Sequence, residues 1–131
     1  MTVKVTSPQI IRINQHLDDC VHVVTGPSAL DGAVNAAFRT TFGQDLNETL
    51  EEKAVALLYG VLKAHAFFDG NKRTAWFAFT TFLNLNGIRL TERSSGHQDD
   101  MVVDLVEDRI TKDDVVAWIC TQIRLGRAVE Q

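Results

Sequence analysis

Residues Leu50–Gly87 read LEEKAVALLYGVLKAHAFFDGNKRTAWFAFTTFLNLNG, and this stretch decides the architecture. In its first half Ala54, Val55, Leu57, Leu58, Val61 and Leu62 recur at helical spacing, so a helix running from Leu50 to Ala64 sets one side into the core. Thr49, with Glu52 three residues on, is a capping box that marks the start. The second half, Thr74 to Asn86, is apolar on almost every side, the pattern of a buried helix. Asn86 and Gly87 stop it, because glycine takes the left-handed conformation without a steric penalty. Between the two helices lies His65-Ala66-Phe67-Phe68-Asp69-Gly70-Asn71-Lys72-Arg73.

Outward from this pair the patterns are again helical. Ser7 followed by Pro8 reads as an N-cap and the favoured first helical residue, with Ile10, Ile11 and Ile13 giving an apolar side as far as Leu17. The β-branched run from Val21 to Val24 predicts a short strand that Gly26 and Pro27 end. Asp31 to Thr40, with Ala33, Val34, Ala37 and Phe38 on one side, predicts a second helix. Phe42 to Asn47 reads as a loop, and Glu92 to Gly96 as another. Met101, Val102, Leu105 and Val106 predict a further helix. Thr111 and Asp114 form a second capping box ahead of Val115, Val116, Ile119, Cys120 and Ile123. The tail beyond Arg124 reads as frayed. The fold class is mainly α, with one short strand or hairpin flap.

Composition limits the function. A chain of 131 residues with 45% hydrophobic and 23% charged residues has the make-up of a folded globular protein, and residues 1–131 read as a single domain. A net charge of −4 argues against direct nucleic-acid binding, which needs a basic face to displace counterions. No apolar run reaches the roughly 20 residues of a membrane span, and the N-terminus does not read as a signal sequence, so the expected location is cytoplasmic with no membrane association. Cys20 and Cys120 are not at metal-ligand spacing and read as reduced, buried thiols.

The segment His65 to Arg73 carries the chemistry. It sets an imidazole, a carboxylate, an amide and two cations just where the chain enters a buried helix. A helix N-terminus offers unpaired N–H groups and the positive end of the macrodipole, both suited to phosphate. Gly70 lets the backbone approach such an anion. Lys72 and Arg73 add charge-assisted hydrogen bonds, and Asp69 is the hard oxygen ligand that Mg2+ on a nucleotide prefers. Histidine is the side chain whose ordinary charge change falls near neutrality, so His65 can accept the proton of an attacking hydroxyl. Phe67 has no polar chemistry and reads as the loop's anchor. Each residue alone also has a structural reading: Asp-Gly is a common turn, and histidine at a helix end is often a cap. Together they favour a phosphate site, because cations in a first helical turn oppose the dipole unless an anion offsets them. Lys63 reads as surface charge.

The string His65-x-Phe67-x-Asp69-Gly70-Asn71-Lys72-Arg73-Thr74 resembles the signature of the Doc, or death-on-curing, branch of the Fic/Doc superfamily. Leu50 to Gly60, Phe82 to Leu90 and Trp118 also resemble family positions. The resemblance implies a compact α-helical domain in which the motif loop joins two central helices, and an ATP-dependent protein phosphotransferase. It implies His65 as general base, Asp69 as the Mg2+ ligand, and Asn71 and Lys72 as phosphate-binding residues, with Arg73 positioning the phosphates and Phe67 fixing the loop. Thr41 to Asn47 takes the place of a flap that aligns the target segment. The resemblance further implies a toxin that phosphorylates a threonine of elongation factor Tu and arrests translation, inhibited by a Phd-like antitoxin.

Two departures bear on the reaction. Adenylyl-transferring relatives usually carry Gly where this chain has Lys72, and a second Arg where it has Trp76; both differences point to the Doc branch. The self-inhibitory pattern of many Fic proteins is not matched either, since Lys53 stands where its Glu would fall. Nucleotidyl transfer on the same scaffold is the alternative, and a non-catalytic antitoxin-binding protein a more distant one. Neither a Gly-x-x-x-x-Gly-Lys-Ser/Thr loop nor the Gly-rich and Asp-Phe-Gly elements of protein kinases occur.

Overall fold

The computed structural model describes residues 2–90, 98–126 and 128–130. The chain is mainly α: among the described residues six helices carry the core, and short strands form two small antiparallel pairs.

Helix α1 spans Ser7–Gln15 and is capped by Thr6, not Ser7. Thr6 has a reciprocal partner three residues on: its hydroxyl accepts from the Gln9 backbone N–H, and the Gln9 side chain accepts from the Thr6 N–H at 2.8 Å. Ser7 would need Ile10 for that exchange, and Ile10 is buried. Helix α2 spans Pro27–Ala37, starting four residues before the expected Asp31. The Gly26-Pro27 pair opens a helix here, because the fixed φ of proline is already helical and its missing N–H is not needed at the first position.

The expected loop after α2 is a two-residue hairpin. β1 (Thr40–Thr41) pairs with β2 (Gln44–Asp45), and Phe42 and Gly43 in the turn have φ of 53° and 78°. Positive φ at both central residues matches the right-handed twist of the strands. Its base is tied to the core by Lys53, a buried lysine whose Nζ lies 2.9 Å from Asp45 Oδ2 and donates to the carbonyls of Asn47 and Glu48.

Helix α3 (Leu50–Ala64) begins at the Thr49–Glu52 capping box, as its sequence predicts. It is the central element, packed against α2, α4 and α6. Gly60 permits the α2 contact: a Cβ there would stand 3.1 Å from that of Ala33. Helix α4 spans Asn71–Leu85, beginning three residues before the expected Thr74. Its Phe79, Phe82 and Leu83 join Leu57, Leu58 and Ile119 in the core. Phe77 and Leu85 are exposed, so α4 is not buried on all sides.

β3 (Ile88–Leu90) follows, then α5 (Gln98–Val106) and α6 (Lys112–Arg124). The second capping box is present, with Thr111 and Asp114 exchanging hydrogen bonds. The expectation of a frayed tail is overturned, since β4 (Ala128–Glu130) pairs antiparallel with β3, Ile88 opposite Glu130. The backbone hydrogen bonds that β3 offers at its edge hold the tail. The loop expected over Glu92 to Gly96 lies outside the described residues. No helix among the described residues is long and apolar enough to cross a membrane.

Candidate active site

α3 ends at His65, whose φ of 45° and ψ of 49° are left-handed. A residue with a Cβ pays a steric penalty there, and the conformation turns the chain sharply out of the helix. The segment that follows is then stitched to residues 23–26. Ala66 O accepts from the N–H groups of Thr25 at 2.8 Å and Gly26 at 3.0 Å, and Phe68 donates to Val23 O at 2.9 Å. The expected strand is therefore reduced to one antiparallel bridge, Val24 opposite Phe67, and its partner is the motif itself. Phe67 is buried while its neighbour Phe68 is exposed, so Phe67 anchors the loop in the core.

Asn71 closes the loop from within. Its Oδ1 accepts from Phe67 N at 3.1 Å and its Nδ2 donates to Phe67 O at 2.7 Å. One Nδ2 N–H remains, so the amide fixes the loop and still offers a donor on the cavity it lines. Gly70, with φ of 78°, is the N-cap of α4 and has no side chain to bond the first N–H groups. Those donors are the orphan groups that an anion can satisfy.

Helix α1 and the chain after it cover the other side of the loop. Asn14, buried, donates through Nδ2 to the Asp69 carbonyl at 2.9 Å and to Thr74 Oγ1 at 3.1 Å. Val21 N–H donates to Asp69 Oδ2 at 3.2 Å, and Arg73 Nη1 donates to Asp18 O at 3.2 Å. Burial, with the Asp69 carboxylate beside it, pushes the Cys20 thiol up. A Cβ on Gly70 would stand 2.8 Å from Cys20 Sγ and 2.9 Å from Leu17 Cδ1.

Sequence reasoning missed Asn14, Asp18, Cys20 and Val21. One signal was present: Asn14 follows the buried Ile10 by four residues, a polar residue on the apolar stripe of α1. The expectation that both cysteines are buried also fails, since Cys20 is half-buried and Cys120 exposed, both free.

His65, Asp69, Gly70, Asn71, Lys72 and Arg73 all line one cavity of ≈ 340 Å³, with Leu62, Phe68 and Val106 completing its wall. The motif residues thus converge on a common space at the N-terminus of α4. Lys63 is more than surface charge: its Nζ donates to Val106 O at 2.8 Å and meets Asp108 Oδ2 at 3.0 Å, while Tyr59 donates to Asp108 Oδ1 at 3.2 Å. The Lys63 ammonium holds the Asp108 carboxyl below its ordinary value, and Asp108 in turn raises Lys63.

A family model for the Fic/DOC family matches residues 4–83, which include the whole loop, all of α3 and all but the last two residues of α4. The chain belongs to the Fic/DOC family. Within it, the chain is similar to Toxin Doc of Mycolicibacterium smegmatis (strain ATCC 700084 / mc(2)155), with 42% identity over 84 residues, 64% of this chain. That match spans 62% of the relative's length. The resemblance to the Doc branch drawn from the motif agrees with it. In this Fic/DOC domain the motif loop joins α3 to α4, the two central helices, as the signature implies.

Trp76, which stands where adenylyl-transferring relatives carry a second Arg, is buried. It packs at 5.2 Å from Phe79 and edge-on at 6.3 Å from Trp118.

Proposed function

We propose that this chain is a Doc-type toxin that transfers the γ-phosphoryl group of ATP to a protein hydroxyl. The observation that carries the proposal is the convergence of His65, Asp69, Gly70, Lys72 and Arg73 on one cavity at a helix N-terminus. His65 takes the proton as the target hydroxyl oxygen attacks the γ-phosphorus. The new O–P bond forms as the bond to the bridging oxygen breaks, and ADP leaves. The open N–H groups of α4, Lys72 and Arg73 balance charge on the phosphoryl oxygens.

Asp69 suits Mg2+: one carboxylate oxygen takes the Val21 N–H, and lone pairs remain for a cation. Among the described residues no cluster of three or more His, Cys, Asp or Glu could hold a metal alone. This fits an ion that the nucleotide's own oxygens and water help to coordinate, as Mg2+ prefers. When bound, Mg2+ neutralises charge on the phosphates.

Phosphoryl rather than nucleotidyl transfer is favoured by Lys72 on the cavity and by Trp76. A second arginine cannot act from a site filled by an indole packed between Phe79 and Trp118. Elongation factor Tu, with a threonine as acceptor, is the proposed substrate, translation arrest in the cytoplasm the proposed outcome, and a Phd-like antitoxin the proposed inhibitory partner. Lys53 supports inhibition by a second chain: at the position of a self-inhibitory Glu it carries the opposite charge and is committed to Asp45.

The test is incubation with elongation factor Tu and ATP labelled at either the α or the γ phosphate. Label is expected on the target from the γ position only, and none with His65→Ala. Label retained from the α position would overturn phosphoryl transfer in favour of nucleotidyl transfer.

A further inference from the structure

A second cavity, of ≈ 480 Å³, lies between α5 and α6 and shares no lining residue with the motif cavity. Three carboxylates line it, those of Asp100, Asp104 and Asp114, beside Trp118, Met101 and Gln122. They belong to a concentrated charge: between Asp99 and Asp114 the sequence has seven acidic and two basic residues, enough to account for the net −4 of the whole chain.

Local partners do not use up this charge. Asp104 Oδ1 pairs with Arg109 Nη1 at 3.0 Å, and Asp114 Oδ2 accepts from the Thr111 N–H at 2.8 Å. Each carboxylate keeps further lone pairs, and Asp100 has no salt bridge among the described residues. The independent observation is Gln122. It lines the cavity, is 4% exposed, and its Oε1 has no hydrogen-bond partner among the described residues. A buried acceptor without a donor is costly, and what it lacks is an N–H or O–H. Trp118 and Met101 supply an apolar wall, and an indole face attracts a cation.

We propose that this cavity binds an alkyl cation, an ammonium or guanidinium group on an aliphatic stem. The carboxylates take the charge, rotation of the Gln122 amide brings its buried Oε1 to one N–H, and Trp118 with Met101 covers the stem. The same chemistry is offered by a lysine or arginine of a partner protein and by a free polyamine. The proposal does not depend on the reaction at the motif cavity.

The test titrates the full chain, labelled with ¹⁵N, with putrescine, with an end-blocked Ala-Lys-Ala peptide, with its Arg counterpart and with neutral 1-butanol. Amide shifts are expected to saturate on α5 and α6 with a cationic probe and to stay absent with 1-butanol. Asp100→Asn and Gln122→Met, each checked for an unchanged fold by its spectrum, should each weaken binding by about tenfold. Tighter binding of a peptide assigns the site to a protein side chain, and tighter binding of putrescine to a free polyamine. Shifts that never saturate, that scatter over every acidic surface, or that persist unchanged in both variants would overturn the site.

Discussion

Asn14 Nδ2 stands 2.9 Å from the carbonyl oxygen of Asp69, across 55 residues of chain. This bond joins the first helix to the motif loop, and the same amide reaches Thr74 Oγ1 in α4. The loop is held from three sides: by α1 through Asn14, by residues 23–26 through Ala66 and Phe68, and by its own Asn71. The first consequence concerns Asn14→Leu, which keeps the branching of the side chain and removes the donor. It should cost about 1–3 kcal/mol, because the Asp69 carbonyl and Thr74 hydroxyl lose a partner in a partly buried site. Urea unfolding would show the loss, and on the proposed function phosphotransfer should fall further than the folded fraction does.

Gly70→Ala should be more damaging than an ordinary loop substitution. The left-handed φ alone costs about 1–2 kcal/mol for a residue with a Cβ, and the new methyl meets Cys20 Sγ at 2.8 Å and Leu17 Cδ1 at 2.9 Å. Cys20→Ala in the same chain should recover part of the lost thermal stability, since it removes one contact and leaves the backbone penalty. Full recovery in the double variant would show that φ is not a constraint.

Lys53→Met removes an ammonium that serves Asp45 and two carbonyls from within the core. The expected loss is about 1.5–3 kcal/mol, the range for a hydrogen bond to a charged group. Hydrogen exchange should quicken at Leu46, whose N–H donates to Arg39 O at the base of the hairpin. On the proposed function, with the hairpin aligning the target, KM for the protein substrate should rise while KM for ATP stays put.

The Lys63–Asp108 pair predicts a pH dependence on the acid side. Asp108 has its carboxyl lowered by Lys63, first through their hydrogen bond, so its contribution to stability is present above the ordinary carboxylate value. It diminishes below that value and is gone once the pH falls through the lowered one. Lys63 is raised by the same bond, so its contribution is lost only as the pH climbs through a value above the usual lysine range. The stability gap between the wild-type chain and Asp108→Asn should therefore stay level around neutrality and close in acid. Both groups are exposed, so the gap is small. A gap that instead closed on the alkaline side of neutrality, well below the lysine range, would contradict the assignment.

Much of the molecule was legible in the residues. Thr49 and Glu52, the stripe from Ala54 to Leu62 and the run from Thr74 to Asn86 set α3 and α4, because capping and helical spacing act within one turn. The motif between them gave the candidate residues, and the structure brings those at the cavity onto one space. Gly26 and Pro27 end the extended run, as their sequence predicts, and also open α2, which the alanine pattern places four residues later. Local cues mislead where a partner lies far along the chain: the tail reads as frayed although β3 holds it. The chain after α1 gave no local sign that it covers the motif.

His65 to Arg73 could be named from the sequence, as residue types set side by side in one short segment. How the loop is held could not, because hydrogen bonds such as Asn14 to Asp69 and Val21 to Asp69 link segments 48 or more residues apart. Their formation depends on where packing puts each buried donor, which no local propensity encodes. The bonds from Asn71 to Phe67, and the Gln122 oxygen that has no partner among the described residues, were likewise decided only when the core closed, since a polar group's need for a partner is fixed by its burial.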